Sequence, residues 1–286
     1  MTFTASDLKD PLEVATRLAR EASRVVLGHF QSSLEVQHKS GDEPVTRADH
    51  ESEAVILAGL RQAFPDHGIL SEESAREATW RLDGFTWIVD PLDGTKDFLA
   101  GLQGFSVMIG LLERDRPVLG VVHQPTTGIT YRAARGHGAE LLRDGELPTS
   151  LQPSTETEPS RLRLVVSNSH RSEKTEQVKR ALGIEDELRL GSVGLKVGLV
   201  ARADRDLYVH PSSRCKLWDV CAPEAIITIA GGKMTDLHGA PLRYGPGENV
   251  DGGAGGGAPY FVQGGIVASN RVCHDEVIRR ISPLFP

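Results

Sequence analysis

The chain has 286 residues, and its 39 acidic residues outnumber its 32 Lys and Arg residues, so the formal net charge is −7. Hydrophobic residues make up 39% and charged residues 25%, a globular composition long enough for two domains or one large one. The acidic balance argues against a nucleic-acid-binding protein, which needs a basic surface. A phosphorylated small molecule stays possible as a ligand, because bound cations can reverse the local charge.

No run of about 18 apolar residues is present, so no membrane span is predicted. The first ten residues lack a basic start followed by an apolar run, which is not typical of a secretory signal. Three cysteines, Cys215, Cys221 and Cys273, in a chain of this length indicate a reducing compartment. We therefore expect a cytoplasmic protein with neither a membrane nor a nucleic acid as partner. No pattern in the sequence predicts its oligomeric state.

Two helices are predicted near the start of the chain. Apolar residues recur at helical spacing over residues 11–30 and 48–64, and Pro65 ends the second helix. The polar segment 38–49 predicts a hairpin or a loop between them. Strands are predicted over 86–90, 105–112, 118–123 and 129–133. The last three follow one another with short turns, which favours an antiparallel meander.

Residues 144–160 are rich in Pro, Ser, Thr and Glu, and we expect them to separate two halves, 1–150 and 160–286. In the second half strand and helix signals alternate, which favours a layered α/β arrangement. Strands are predicted over 162–167, 207–210, 233–237 and 265–268. Helices are predicted over 172–182, 194–203, 219–230 and 274–281. The glycine-rich segment 245–265 is expected to be a surface loop, because it cannot bury a core.

The most informative segment is Trp-Ile-Val-Asp-Pro-Leu-Asp-Gly-Thr-Lys-Asp-Phe at residues 87–98. An apolar strand ends at Asp90, and Asp93 follows three residues later. Two carboxylates this close repel each other unless a cation neutralises them, and their oxygens suit a hard ion such as Mg²⁺. Gly94 and Thr95 precede a predicted helix, where backbone N–H groups can bind a phosphate. Taken alone, a turn and a helix cap without a metal would also explain the segment.

Three similar motifs do not fit this chain. An EF-hand loop beginning at Asp90 would need Glu at its twelfth position, which is Gly101. Phosphatases of the haloacid-dehalogenase type place one residue between their two Asp residues, whereas this chain has two. Lys233 follows two glycines but lacks the upstream glycine spacing of a P-loop.

Three further acidic segments accompany the first. Glu72 and Glu73 follow a short apolar piece, Asp219 begins a predicted helix, and Asp49 begins the second predicted helix of the chain. Considered singly, Glu72 and Glu73 would be explained as a solvated acidic pair, and Asp219 and Asp49 as helix caps.

Together the four segments resemble the lithium-sensitive, magnesium-dependent phosphatase superfamily, which includes inositol monophosphatases, fructose-1,6-bisphosphatases and 3'(2'),5'-bisphosphate nucleotidases. The shared order is Pro-Val-Thr-x-x-Asp, Glu-Glu-Ser, Trp-x-x-Asp-Pro-Leu-Asp-Gly-Thr and a later Trp-Asp, over about residues 8–281. The resemblance implies an α/β (α+β) fold, a layered α-β-α-β-α sandwich of the inositol monophosphatase and fructose-1,6-bisphosphatase type. Most metal ligands would lie in the first half, with Asp219 and the nucleotide-binding residues in the second.

Within that superfamily the chain looks most like the bisphosphate nucleotidases. Lys-Asp-Phe at 96–98 stands where inositol monophosphatases usually have Thr-Asn-Phe, and Ser-Asn-Ser-His at 167–170 looks like a nucleotidase signature. The segments 215–224 and 231–239 resemble the animal-type nucleotidases. The resemblance therefore implies hydrolysis of the 3'-phosphate of adenosine 3',5'-bisphosphate to AMP and phosphate.

The resemblance also implies site residues. Two or three Mg²⁺ ions would be bound by Glu72, Asp90, the carbonyl of Leu92, Asp93 and Asp219, and Li⁺ is expected to inhibit. Asp49 and Thr95 would orient and deprotonate a water activated by the metal, and Glu72 would hold a further water or ion. The N–H groups of Gly94 and Thr95 would bind the phosphate that is removed.

Ser167, His170, Ser192 and Lys196 are the implied contacts of the nucleotide and its 5'-phosphate, with Arg214 as a further candidate. Ser192 stands where the animal branch commonly has Gly, so a role for its backbone alone is open. A loop histidine and a solvated helix lysine are the ordinary explanations of His170 and Lys196.

An inositol monophosphatase or an inositol polyphosphate 1-phosphatase is the alternative within the superfamily. Residues 167–196 discriminate between them, because a monophosphate needs no second anion site. A catalytically inactive metal or nucleotide sensor is an alternative of another class. The complete set of acidic ligand types disfavours it, since an inactive binder would tolerate the loss of one of them.

Overall fold

The computed structural model describes residues 8–31, 37–38, 44–81, 83–168, 173–213, 215–245 and 260–286. Its helices are α1 (Lys9–His29), α2 (Arg47–Ala63), α3 (Thr95–Leu99), α4 (Glu173–Leu182), α5 (Val193–Ala201), α6 (Leu217–Ile229) and α7 (Arg271–Ile281). Its strands are β1 (Gln37–His38), β2 (Pro44–Val45), β3 (Gly68–Ser71), β4 (Phe85–Asp93), β5 (Ser106–Glu113), β6 (Arg116–His123), β7 (Thr130–Ala134), β8 (Gly138–Leu142), β9 (Thr149–Ser150), β10 (Leu164–Ser167), β11 (Glu187–Leu190), β12 (Leu207–His210), β13 (Lys233–Thr235) and β14 (Ile266–Ser269).

The elements form five layers. Helices α1 and α2 cover one face of a seven-stranded sheet, α5 and α6 lie between that sheet and a five-stranded sheet, and α4 and α7 cover the far side. The predicted α/β class and the α-β-α-β-α layering are therefore confirmed. A separate two-stranded hairpin, β1–β2, confirms that the polar segment before α2 contains a hairpin.

The seven-stranded sheet has the order β3-β4-β5-β6-β7-β8-β9. All neighbours from β4 onward are antiparallel, which confirms the meander, while β3 pairs parallel with β4. Because side chains alternate along a strand, β4 contributes side chains to two hydrophobic cores, one on each face of the sheet. Trp87 and Val89 pack toward α1 and α2, whereas Ile88 packs toward the middle helices.

The five-stranded sheet has the order β11-β10-β12-β14-β13. Strand β10 pairs parallel with β11 and β12, and β14 pairs antiparallel with β12 and β13. All nine residues of α5 are buried. A helix that is buried on every side must be packed against other elements on every side, and the two sheets that flank α5 provide these contacts.

The predicted elements differ from the observed ones in two respects. Strands β8, β9 and β11 were not predicted, and β3 was expected only as a short apolar piece. The short β11 has the sequence Glu-Leu-Arg-Leu and lies at a sheet edge with no fully buried residue, so it lacks a strong apolar signal. The helix predicted over 194–203 ends at Ala201, and the one predicted over 274–281 begins at Arg271.

Strand β9 still belongs to the first sheet, and β10 begins the second. The middle core contains residues of both halves. The division into 1–150 and 160–286 as separate domains stays a prediction. No helix among the described residues has the length and apolar character needed to cross a membrane. Most of the glycine-rich segment 245–265 lies outside the described residues.

Candidate functional site

Asp49 lies in the first turn of α2 and links that helix to the end of β4. Its Oδ2 accepts hydrogen bonds from the backbone N–H and the hydroxyl of Thr46, each at 2.7 Å, which closes a capping box at the helix start. Its Oδ1 accepts a hydrogen bond from the Thr95 hydroxyl at 3.4 Å. Asp49 is therefore the N3 residue of a capping box whose N-cap is Thr46, and also the partner of Thr95.

The chain changes direction where β4 ends. The pairing of β4 with β5 shifts register between Asp90 and Asp93, which is the mark of a bulge. Asp90 is 1% exposed, and its Oδ1 accepts a hydrogen bond from the N–H of Leu92 at 3.1 Å. The carbonyl of Leu92 in turn accepts from the Thr95 hydroxyl at 3.1 Å. The bulge thus brings two Asp residues and a backbone carbonyl together at the end of β4.

Three other acidic residues surround Asp90. Burial raises the pKa of Asp90 well above its usual range, and the charges of Glu72, Asp93 and Asp219 raise it further. Burial also raises the pKa of Asp219 strongly, with Asp93 and Glu72 contributing. The structure therefore brings together the four carboxylates that the resemblance implies as metal ligands.

Asp93 is the carboxylate whose charge is best compensated. Burial raises its pKa, while the nearby charge of Lys196 and hydrogen bonds from Ser192 and Gly194 oppose that shift. The Ser192 hydroxyl donates to Asp93 Oδ2 at 2.6 Å, and the Gly194 N–H donates to the same oxygen at 3.1 Å. These contacts join the end of β4 to the start of α5.

The carboxylates fit a hard divalent cation by their chemistry, because oxygen ligands suit such an ion and its charge would offset the repulsion that Asp90 and Asp219 experience from their acidic neighbours. Within the part of the chain that the structure describes, no three acidic, His or Cys side chains stand in a geometry that could hold an ion. Asp93 Oδ2 faces Ser192, and Asp219 Oδ2 accepts from the N–H of Lys216 at 2.8 Å. The donor types that suit a hard cation are thus present, while Asp93 Oδ2 and Asp219 Oδ2 are bonded to donors of the protein itself.

Ser192 takes part through its side chain. It is the N-cap of α5 with φ +50°, and its Oγ accepts from the N–H of Leu195 at 3.1 Å. The same oxygen lies 2.8 Å from the hydroxyl of Ser106 on β5. The Ser192 side chain is therefore bonded within the protein, and its contact with a nucleotide, through the side chain or the backbone, stays a prediction.

Gly94 begins α3 in a conformation that favours glycine. Its φ is +98°, and a Cβ at this position would lie 2.6 Å from the carbonyl oxygen of Gly104. Gly94 thus allows β4, α3 and the loop before β5 to meet closely. Binding of a phosphate by the N–H groups of Gly94 and Thr95 stays a prediction.

Lys196 lies inside the protein and is 2% exposed. Its Nζ donates to the carbonyl of Leu190 at 3.4 Å and lies 5.2 Å from the centre of the Tyr208 ring. Burial lowers its pKa, and the charge of Asp93 opposes this effect. Lys196 is therefore an interior charge beside Asp93, not the solvated lysine considered as the ordinary explanation, and its contact with a second phosphate stays a prediction.

The other implied nucleotide contacts are described only in part. Ser167 is half-buried at the end of β10. His170 and Arg214 lie outside the described residues.

Two residues near the site were not singled out from the sequence. Asp97 on α3 is 5% exposed, and its Oδ2 accepts from the Asn168 side chain at 2.6 Å. A Cβ at Gly104 or Gly191 would lie within 2.3 Å of that oxygen, so both glycines make room for it. Lys216 Nζ lies 3.9 Å from Glu72 Oε1. The sequence feature that could have pointed to Lys216 is its position in the Lys-Leu-Trp-Asp segment.

Known proteins are similar to this chain in sequence and in fold. A family model described as the inositol monophosphatase family matches residues 7–283. The 3'(2'),5'-bisphosphate nucleotidase CysQ of Salmonella typhimurium is 36% identical over 83% of this chain and 95% of its own. The histidinol-phosphatase of Mycobacterium tuberculosis is 32% identical over 96% of this chain and 98% of its own. The inositol monophosphatase structure from Anabaena superposes with a TM-score of 0.75 at 29% identity, covering 97% of each chain.

Proposed function

The chain belongs to the inositol monophosphatase family, and from that premise we propose that it is a Mg²⁺-dependent phosphatase that removes the 3'-phosphate of adenosine 3',5'-bisphosphate. The family and the nucleotidase relatives at 32–36% identity indicate a phosphoric monoester hydrolase, and the family is generally Mg²⁺-dependent. The observation that carries the proposal is the cluster of four carboxylates formed by Asp90 and its neighbours Glu72, Asp93 and Asp219, whose oxygens are the kind of ligand that Mg²⁺ prefers.

The residues that would hold Mg²⁺ are Glu72, Asp90, Leu92 through its carbonyl, Asp93 and Asp219. Bound Mg²⁺ lowers the pKa of water and neutralises charge on a phosphoryl group. We propose two or three ions and inhibition by Li⁺. The net charge of −7 is then compatible with an anionic substrate, because several of the acids would bind cations.

The protein's own groups would handle the proton of the attacking water. The Thr95 hydroxyl lies between the carbonyl of Leu92 and Asp49 Oδ1. A water that donates to Thr95 Oγ can transfer its proton through that hydroxyl to Asp49 Oδ1. Asp49 is 1% exposed, so the proton acceptor is shielded from bulk solvent.

Ser167, His170, Ser192 and Lys196 are assigned to the nucleotide side of the substrate. The similarity to CysQ supports a nucleoside bisphosphate as the substrate class. Lys196 supplies a fixed positive charge on the side of Asp93 that faces α5, which favours a substrate with a second phosphate. A cytoplasmic location also belongs to the proposal and is supported by three buried free thiols.

A monophosphate ester is the second candidate substrate. The match to the M. tuberculosis histidinol-phosphatase covers 96% of this chain, more than the 83% covered by the nucleotidase. The inositol monophosphatase from Anabaena also covers 97% of it. Both relatives are named for substrates with one phosphate.

Steady-state kinetics with Mg²⁺ tests the proposal on four substrates: adenosine 3',5'-bisphosphate, 3'-AMP, inositol 1-phosphate and histidinol phosphate. We expect the highest kcat/KM for the bisphosphate, with 3'-AMP at least about tenfold lower because it lacks the second phosphate. Asp90→Asn, purified in the same way, measures any contaminating phosphatase. A higher kcat/KM for inositol 1-phosphate or histidinol phosphate would replace the first candidate with the second.

A further inference from the structure

A carboxylate outside the predicted site, Glu53 of α2, lies against the turn that contains Glu72. Glu53 is 8% exposed. Its Oε1 accepts a hydrogen bond from the Ser71 hydroxyl, from the N–H groups of Glu73 at 3.1 Å and Ser74 at 3.2 Å, and from the Ser74 hydroxyl at 3.2 Å. One oxygen thus binds donors on both sides of Glu72.

The backbone of Glu72 is held from the opposite direction by β4. Its N–H donates to the carbonyl of Val89 at 3.2 Å, one residue before Asp90. Hydrogen bonds to a charged acceptor are stronger than those between neutral groups. The turn is therefore fixed between the Glu53 carboxylate and β4, the strand that contains Asp90.

The same face of α2 contacts two other parts of the site. Ser52 Oγ donates to the carbonyl of Pro91 at 2.9 Å, and Asp49 accepts from Thr95. Asp49, Ser52 and Glu53 stand at positions i, i+3 and i+4, which share one face of a helix. Each of them binds a different segment that contains site residues.

We propose that Glu53 is a positioning residue that holds Glu72 in place for a divalent cation. It acts through the turn 71–74, whose backbone sets the direction of the Glu72 side chain. The inference rests on the proposed function, because that function makes Glu72 a metal ligand. Changing a residue that orients a metal ligand typically lowers metal affinity or activity 10–100-fold.

Binding of Mn²⁺ to the full-length protein without substrate, followed by electron paramagnetic resonance, tests this role directly. Mn²⁺ shares the preference of Mg²⁺ for carboxylate oxygens. Glu53→Gln keeps the side-chain length and one acceptor oxygen but removes the charge. We expect a Kd for Mn²⁺ at least about tenfold higher, and a matching rise in the Mg²⁺ concentration that gives half-maximal phosphatase activity.

Glu51→Gln is the matched control, since Glu51 lies on the same helix with its side chain 42% exposed and paired with Arg47 and His29. It should bind Mn²⁺ like the wild type. A Glu53→Gln protein that melts at a lower temperature but keeps the wild-type Kd would show a merely structural role and overturn the proposal.

Ser71→Ala decides the matter if Glu53→Gln does not fold. It removes one donor to Glu53 and leaves the carboxylate in place, so a rise in Kd of about threefold is expected, and an unchanged Kd would overturn the proposal.

Glu72→Gln distinguishes a failure of the proposed metal site from a failure of the proposed role of Glu53. If Glu72→Gln also binds Mn²⁺ normally, the proposed metal site is wrong; if it loses binding while Glu53→Gln does not, only the role of Glu53 is wrong.

Discussion

Asp90 is the residue on which the candidate site centres. It is 1% exposed, and the carboxylates of Glu72, Asp93 and Asp219 raise its pKa beyond the effect of burial. Without a cation, ionising this group works against the folded state. With a cation, the same group becomes a ligand, so one substitution has opposite effects on stability and on activity.

Asp90→Asn should abolish turnover and raise the unfolding temperature of the metal-free protein. The amide keeps the shape of the side chain and removes the cost of ionising a buried carboxyl group beside three other acids. A ligand that binds only the folded state stabilises it, so Mg²⁺ should raise the unfolding temperature of the wild type and not of the variant. Thermal unfolding with EDTA and with Mg²⁺ measures both effects.

Asp115→Asn is the control, because the Asp115 side chain is 63% exposed in a turn away from the site. It should behave like the wild type in both buffers. An Asp90→Asn protein that is still stabilised by Mg²⁺ to the wild-type extent would contradict the assignment of Asp90 as a metal ligand.

Glu224 on α6 is a half-buried carboxylate outside the site, and the Tyr244 hydroxyl donates to it at 2.5 Å. Burial raises its pKa to about 7 from 4.5. The folded state therefore holds this proton more tightly than the unfolded state, and stability is lost as the pH rises from 4.5 through 7. Glu224→Gln should remove that loss, so its advantage over the wild type should grow by about 2–3 kcal/mol between pH 5 and pH 8.

Urea unfolding at the two pH values measures this difference. The comparison at pH 5 is an internal control, since the folded wild type is then largely neutral at Glu224. A constant difference between variant and wild type at both pH values would show that the carboxylate does not titrate in this range.

The short helix α3 depends on Gly94 at its start. The left-handed φ of +98° and the close carbonyl of Gly104 both exclude a side chain. Gly101, after the other end of the helix, has φ +69°, but a Cβ added there would have nothing within 4 Å. Substitutions at Gly101 and Gly94 therefore separate the effect of backbone strain alone from the effect of strain combined with a close contact.

Gly101→Ala should cost about 1–2 kcal/mol from strain alone and leave kcat/KM unchanged. Gly94→Ala should cost more and lower kcat/KM about 100-fold, because it displaces Thr95 from Asp49. Unfolding by urea and phosphatase kinetics measure the two effects. Equal losses of activity in both variants would show that Gly94 matters only through strain.

The elements that form the site were largely predictable. The two long helices and the strand that leads to Asp90 follow from apolar spacing, although β4 continues to Asp93, and the capping box at Thr46 and Asp49 is visible as a polar start to α2. The burial of Lys196 was not predictable, because it results from two sheets enclosing α5. The contacts of Glu53 were not predictable either, since they join residues about 20 positions apart.

The whole molecule is held together by α6, which lies between the sheets and contains Asp219. Its close approach to the first sheet depends on Gly110 and Gly120, which pair across β5 and β6. A Cβ at Gly120 would lie 2.2 Å from the carbonyl oxygen of Ala222, and one at Gly110 would lie 2.6 Å from Cys221 Sγ. Such contacts between distant segments leave no periodic signal in a sequence.

Gly120→Ala should lower the free energy of unfolding by about 1–3 kcal/mol or more, as overpacking does. It should also weaken Mn²⁺ binding, because α6 positions Asp219. Gly28→Ala is the control, since Gly28 lies in α1 with nothing within 4 Å of an added Cβ, and alanine favours the helix. Normal stability and Mn²⁺ binding in Gly120→Ala would contradict this role of the α6 contact.

The regiochemistry of hydrolysis tests the central claim most directly. Adenosine 3',5'-bisphosphate is incubated with the protein and Mg²⁺, and the products are followed by ³¹P nuclear magnetic resonance. The account predicts that the 3'-phosphate signal is replaced by inorganic phosphate while the 5'-phosphate of AMP persists, and that EDTA stops the reaction. Loss of the 5'-phosphate first, or an unchanged bisphosphate under conditions in which inositol 1-phosphate is hydrolysed, would contradict it.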